Sequence, residues 1–324
     1  MQRRIFSLTV AAVLALSAGI SQAQTKWDLA SAYPASNFHS ENLTQFAADV
    51  DKATGGKLKI TVHSNASLFK APEIKRAVQG AQAQAGEVLL ANLQNEWQIY
   101  GADGLPFLAD SYDEAMKLYK VQKPMIEKKL DEQGMQLLYA VAWPPQGLYA
   151  KKPINSAADL KGIKWRAYSP ATARIAELIQ AQPVTVQAAE LSQALATGVV
   201  ESTMTSGATG VDSRLYEHLK YYYDMQAWLP KNMVMVNKKA FEALDKPTRD
   251  SVMKAAQDAE ARGLVASKRV NTETLEKLKA NGVQVLPPSA QLKADMKKVG
   301  DTMAQEWLAK TGAEGKALLD AFAR

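Results

Sequence analysis

Arg166 is the residue in this sequence whose type and setting best suit chemistry. It stands near the end of the run Ile163-Lys164-Trp165-Arg166-Ala167, which alternates as a short strand does, so Trp165 and Arg166 face opposite ways. A guanidinium at a strand end offers a planar fork of donors that matches a carboxylate. The other reading of the same position is a solvated strand-end charge. Thr205 and Ser206 stand at the end of a later polar run, Glu201 to Ser206. Nothing nearby completes a nucleophile with its base. There is no cysteine, which removes disulfides, thiolate nucleophiles and thiolate metal sites. The three histidines, His39, His63 and His218, show no paired ligand spacing. No G-x-S-x-G run occurs. These residues point to binding an anion rather than converting one, with no metal and no cofactor.

The elements that must position Arg166 follow one another from residue 155 to 206. Ser156 to Gly162 reads as a short helical turn closed by glycine. After the Arg166 strand, Ser169-Pro170 caps a helix predicted over Ala171 to Ala181. Pro183 to Val186 is a second short strand. Leu191 to Ala196 is a helix stopped at Gly198, and Val199-Val200 leads into the polar run. Strand, helix, strand, helix, strand implies parallel strands with crossover helices, and ligands in such sheets sit at the carboxyl ends of strands. Arg174, on the following helix, reads as a solvated face residue.

Two segments here, Asp159 to Arg166 (D-L-K-G-I-K-W-R) and Glu190 to Glu201 (E-L-S-Q-A-L-A-T-G-V-V-E), resemble the solute-binding proteins of TRAP transporters. The likeness extends more weakly over most of the chain beyond residue 23. It implies a bilobed periplasmic-binding-protein fold of two α/β domains, a cleft between them and a long helix spanning both. It implies that Arg166 holds a substrate carboxylate, and that the partners are a small organic acid and TRAP membrane permease subunits. Many relatives carry a second basic residue where this chain has Pro144-Pro145-Gln146. That departure argues against sialic-acid-like and dicarboxylate ligands. It leans toward a monocarboxylate with an apolar or aromatic body.

The pattern repeats in the first hundred residues. Strands are predicted at Thr25–Tyr33, Lys57–His63 and Glu87–Ala91. Helices are predicted from His39 to Gly55, with Leu43, Phe46, Ala47 and Val50 on one face, and from Ala71 to Gln84. Strand-end positions of this half, Tyr33, Phe38, His39, Asn92, Gln94 and Trp97, are candidates for the opposite jaw of a cleft. Each also has a structural reading: Phe38 as a staple, Trp97 over a core, His39 at a helix start. Trp143, Tyr168 and Trp228 add aromatic surface to the second half.

Helices are predicted over Ser111–Gln122 and from Pro124 to Gln133, then a buried strand over Met135–Ala142. Pro144-Pro145 cannot continue that sheet and mark a first crossover between lobes. Gly207 to Gly210 reads as a flexible loop. Tyr221 to Tyr223 reads as strand packing, and Asn232 to Asn237 as a strand returning to the first lobe. Thr248 to Asn281 lacks proline and reads as one helix, kinked at Gly263, or as two. Ala290–Lys310 and Ala313–Phe322 are closing helices. The lobes are then 24–143 with about 232–270, and 144–231 with about 271–324.

Residues 1–23 carry Arg3-Arg4, an apolar run from Leu8 to Ala18 and the small-residue ending Ser21-Gln22-Ala23. That is the pattern of an export signal cleaved after Ala23, and it places the mature protein in the periplasm. Losing two arginines and no acid lowers the formal charge from +6 to +4. That balance carries no nucleic-acid signal. The expectation is a monomer. The competing classes are a binding protein for an ABC importer, a ligand-sensing partner of a chemoreceptor and an exported enzyme. The enzyme reading lacks a catalytic constellation, and the ABC reading lacks the motif pair and the long helix.

Overall fold

The computed structural model describes residues 24–324, so the export signal read in the sequence lies outside the described residues. The first half alternates β1 (Thr25–Ala30), α1 (Phe38–Ala53), β2 (Leu58–His63), α2 (Ile74–Gln79) and β3 (Ala85–Leu89). Next come α3 (Tyr112–Glu132), β4 (Met135–Ala142), β5 (Gly147–Ala150), β6 (Lys164–Ala167), α4 (Pro170–Leu178) and β7 (Gln182–Thr185). Then follow α5 (Leu191–Ala196), β8 (Ser202–Thr205), α6 (Gly207–Asp212), β9 (Tyr221–Tyr223), β10 (Lys231–Asn237) and α7 (Lys238–Glu242). The chain ends with α8 (Lys246–Ala280), β11 (Gln284–Leu286) and α9 (Ala290–Ala323).

Two sheets result. The first runs β2-β1-β3-β10-β4 and the second β11-β9-β5-β8-β6-β7. In the second, β6 lies parallel to both β7 and β8, as its strand–helix–strand sequence requires. In the first, β10 inserts antiparallel between β3 and β4. The chain crosses from first sheet to second over 143–146 and returns over 224–230. The crossing segments bond to each other: Trp143 N donates to Pro230 O (2.8 Å), Gln146 N to Trp228 O and Ala227 N to Gln146 O (both 3.0 Å).

The helices follow their apolar spacing. On α1 the buried face includes Leu43, Phe46, Ala47 and Val50, and Asn37 caps the start by accepting from His39 N. α8 is one continuous helix. It packs on α1 and β4 at the first sheet and on α6 and β11 at the second. Gly263 is not a kink in it. A Cβ there would lie 2.4 Å from a methyl of Val141 and 3.0 Å from Asn42, so glycine permits close approach of the helix to β4.

Other local expectations are corrected. α3 is a single helix with Pro124 inside it. Pro124 and Lys120 are both exposed, so water can serve the Lys120 carbonyl that proline leaves without a donor. The helix expected over 71–84 ends at Gly80, and Ala81 turns left-handed (φ 56°). Residues 207–210 are helical rather than loose, because Ser206 caps α6 by accepting from Thr209 N. α9 does break, at Gly312 (φ 57°).

Candidate functional site

Between the sheets lies a cavity. Tyr33, Leu89 and Asn92 reach it from beyond the ends of β1 and β3, and Trp143, Gln146 and Pro230 from the crossing segments. Arg166, Tyr168, Gln187, Ala188, Thr205 and Thr209 close it from the second sheet. The fold explains this convergence, since parallel strands end together and their loops share one edge.

Arg166 is the one charged residue in this lining, and it is 3% exposed. Its Nε donates to the Val186 carbonyl at 2.9 Å, and its Cζ stands 4.8 Å from the centre of the Tyr168 ring. Among the described residues no carboxylate pairs with it. Burial pushes its pKa down to about 10, against the opposing influence of Tyr168 and Tyr33. A buried cation without an anion is a costly arrangement, and an incoming carboxylate relieves it. Tyr168 is held by its hydroxyl donating to Gln146 Oε1 at 3.1 Å. Gln146 in turn donates to the Pro144 carbonyl at 2.8 Å. The Asn92 Oδ1 is buried without a hydrogen-bond partner, and Asn92 is among the residues that line the cavity. Among the described residues no group of His, Cys, Asp or Glu is placed to hold a metal ion.

Of the sequence candidates, Arg166, Tyr33, Asn92, Trp143, Tyr168 and Thr205 line the cavity. The other six stand elsewhere. Phe38 and His39 form a layer behind Trp143, with ring centres 5.4 and 4.4 Å from it. His39 Nδ1 faces Glu87 at 3.3 Å. Ser206 is occupied in capping α6, and Trp228 is buried in the core. Trp97 points away, donating from Nε1 to Glu314 on α9 at 2.9 Å. Gln94 borders a separate groove against α4 and α9. Arg174 is not a free surface charge. Its Nε and Nη2 grip Glu306 at 3.0 and 2.6 Å, tying α4 to α9.

Sequence reasoning missed Gln146, Gln187 and Thr209. Gln187 follows the end of β7, so the strand-end rule that selected Arg166 also reaches it. Gln146 sits in the segment its neighbouring prolines mark as a crossover. Thr209 was hidden by reading 207–210 as a loop.

Two α/β sheets joined by paired crossings, with one buried, unpaired cation in the cleft between them, define the architecture of a solute-binding protein. The chain belongs to the bacterial extracellular solute-binding proteins of family 7, the DctP family, whose model matches residues 29–311. It is similar to DctP6 of Bordetella pertussis, an extracytoplasmic solute receptor binding pyroglutamic acid, at 60% identity and a TM-score of 0.91. That match covers 92% of this chain and 99% of that one. DctP7 of the same organism, also a receptor binding pyroglutamic acid, is 44% identical with a TM-score of 0.91, covering 93% of this chain and 100% of its own. A marine metagenome TRAP solute-binding protein specific for pyroglutamate matches at 44% identity and a TM-score of 0.91, over 93% of this chain and 99% of its own.

Proposed function

We propose that this protein is the periplasmic receptor of a TRAP transporter for a compact cyclic monocarboxylate, with pyroglutamate the ligand that fits best. The observation that carries the reading is Arg166, buried, unpaired and alone in its charge among the cavity residues. One cation answers one carboxylate, and Pro144-Pro145-Gln146 stands near the point where many relatives carry a second basic residue. The unpartnered Asn92 acceptor suits a lactam N–H, the single donor that pyroglutamate anion offers. Receptors for pyroglutamic acid stand among this chain's similar structures.

The ligand enters an open cleft, the lobes close over it, and the loaded protein docks on the membrane permease. It binds without converting its ligand and works as a monomer. The lobes are 24–143 with about 232–270 and 144–231 with about 271–324. Residues 1–23 direct export, so the amino terminus of protein recovered from the periplasm is Gln24. Amino-terminal sequencing that still finds Met1 would reject that point.

Calorimetric titration tests the ligand. L-pyroglutamate should bind tightly, while L-glutamate, which adds a second carboxylate, should bind at least a hundredfold more weakly. Equal affinity for the two would remove the cyclic monocarboxylate reading. Mass spectrometry of whatever acid co-purifies gives an independent answer.

A further inference from the structure

Asn232 lies on β10, beneath the cavity, and is 1% exposed. Its Oδ1 accepts from the Tyr33 hydroxyl at 3.3 Å and from Trp143 Nε1 at 2.8 Å. Both aromatic residues line the cavity, with ring centres 5.0 Å apart. One reaches it from beyond β1 and the other from the crossing segment, so one carboxamide oxygen ties two separate parts of the wall together. The Asn232 Nδ2 is buried with no protein partner.

A phenol hydroxyl and an indole N–H have one proton each. Both protons go to Asn232, so neither is available to a ligand. The wall then presents ring faces and a phenolic lone pair, and no donor. A methylene edge packs on such a surface without loss. A ligand hydroxyl pressed against it gives up water and finds no donor, which weakens binding about tenfold or more.

We propose that Asn232 is a positioning residue that turns the Tyr33–Trp143 wall into a donor-free aromatic surface. The cleft thereby selects compact acids with a bare methylene edge and rejects hydroxylated ones. The inference rests on the organic-acid reading and deepens it. Asn232 acts through its two neighbours and is not among the residues that line the cavity.

The test titrates L-pyroglutamate and 4-hydroxy-L-pyroglutamate into wild type and three variants. Wild type should prefer the unsubstituted ring by about tenfold or more. Asn232→Leu frees both donors, so that preference should shrink to about threefold or less. Asn232→Asp keeps the acceptor, and although both ligands bind more weakly, the preference should persist. Tyr33→Phe removes the phenolic proton with its hydroxyl and leaves Trp143 donating to Asn232, so the preference for the unsubstituted ring should stay at about tenfold or more. An unchanged preference in Asn232→Leu overturns the proposal. So does a preference that falls to about threefold or less in Tyr33→Phe, which stands as a test even if the Leu variant does not fold.

A ligand-free arm separates this inference from the choice of ligand. Hydrogen exchange of the Trp143 indole N–H, followed by NMR, should be slow in wild type and Asn232→Asp and fast in Asn232→Leu. If wild type binds neither acid, the pyroglutamate reading falls and the exchange measurement alone decides the role of Asn232. Fast exchange in wild type, or no change in Asn232→Leu, rejects it.

Discussion

Arg166 is a buried charge that no carboxylate among the described residues pairs. Arg166→Ala should weaken binding of the carboxylate by about 3–5 kcal/mol, because the ligand's charge is then left buried without a partner. That is a loss of roughly a hundred- to several-thousand-fold in affinity. Arg166→Lys should recover only part of it, since an ammonium cannot reproduce the planar fork. Lys161→Ala, an exposed change in the same sequence motif, is the control. Titration calorimetry decides, and binding by Arg166→Ala within about threefold of wild type would move the clamp elsewhere. A second buried charge gives a pH prediction. Burial pushes the Asp103 carboxyl up to about 6, with Lys231 opposing. A raised carboxyl pKa favours the folded state fully below about 4, and that contribution is lost as pH rises through about 6. Asp103→Asn should therefore flatten the pH dependence of stability between these limits by about 3 kcal/mol. Urea unfolding at pH 4.5 and 7 measures it, and parallel slopes for the two proteins would exclude Asp103 as the cause. The place of Arg166 in the cavity was legible because strand-end position and side-chain chemistry agree. Asn232 was not, because its importance comes from two partners 199 and 89 residues away in sequence.

Elements were legible where periodicity and punctuation agree, as in α1 and the Ser169-Pro170 start of α4. They were misread where a residue acts through its surroundings. Pro124 reads as a break, yet on an exposed face of α3 it is tolerated. Gly263 reads as a kink, yet its missing Cβ lets α8 lie against β4. That reading has a measurable consequence. Alanine is the better helix former by about 1 kcal/mol, so Gly263→Ala on an exposed face would stabilise. Here the added carbon meets Val141 and Asn42, and the clash should give a net destabilisation of about 1–3 kcal/mol. Denaturant unfolding reads the sign directly. An increase in stability would mean that helix and strand can part without loss.

At the scale of the molecule, local patterns foretold two βαβ-type halves. They did not foretell the order of strands. β10 joins β3 and β4 after an excursion through the whole second sheet, and no local signal encodes such a pairing. The described cavity is small, and α4 approaches the first half closely, with Ala171 beside Gly104. Saturating ligand should therefore shift an open–closed equilibrium toward this compact form. Small-angle scattering should show the radius of gyration fall on adding ligand, and an unchanged value on binding would argue against lobe closure. The two crossing segments shape that motion. Because 143–146 and 227–230 are bonded across to one another, they form a ribbon rather than two independent tethers. A ribbon flexes readily across its width, but sliding one edge along the other would break its cross-links. With α8 also packed on both sheets, a swing across the ribbon is the motion that disturbs the fewest of these links. Closing along that path should restore the same register of Arg166 against Tyr33 and Asn92. The repeatability of recognition resides in the strap that joins the lobes as much as in the groups that meet the ligand.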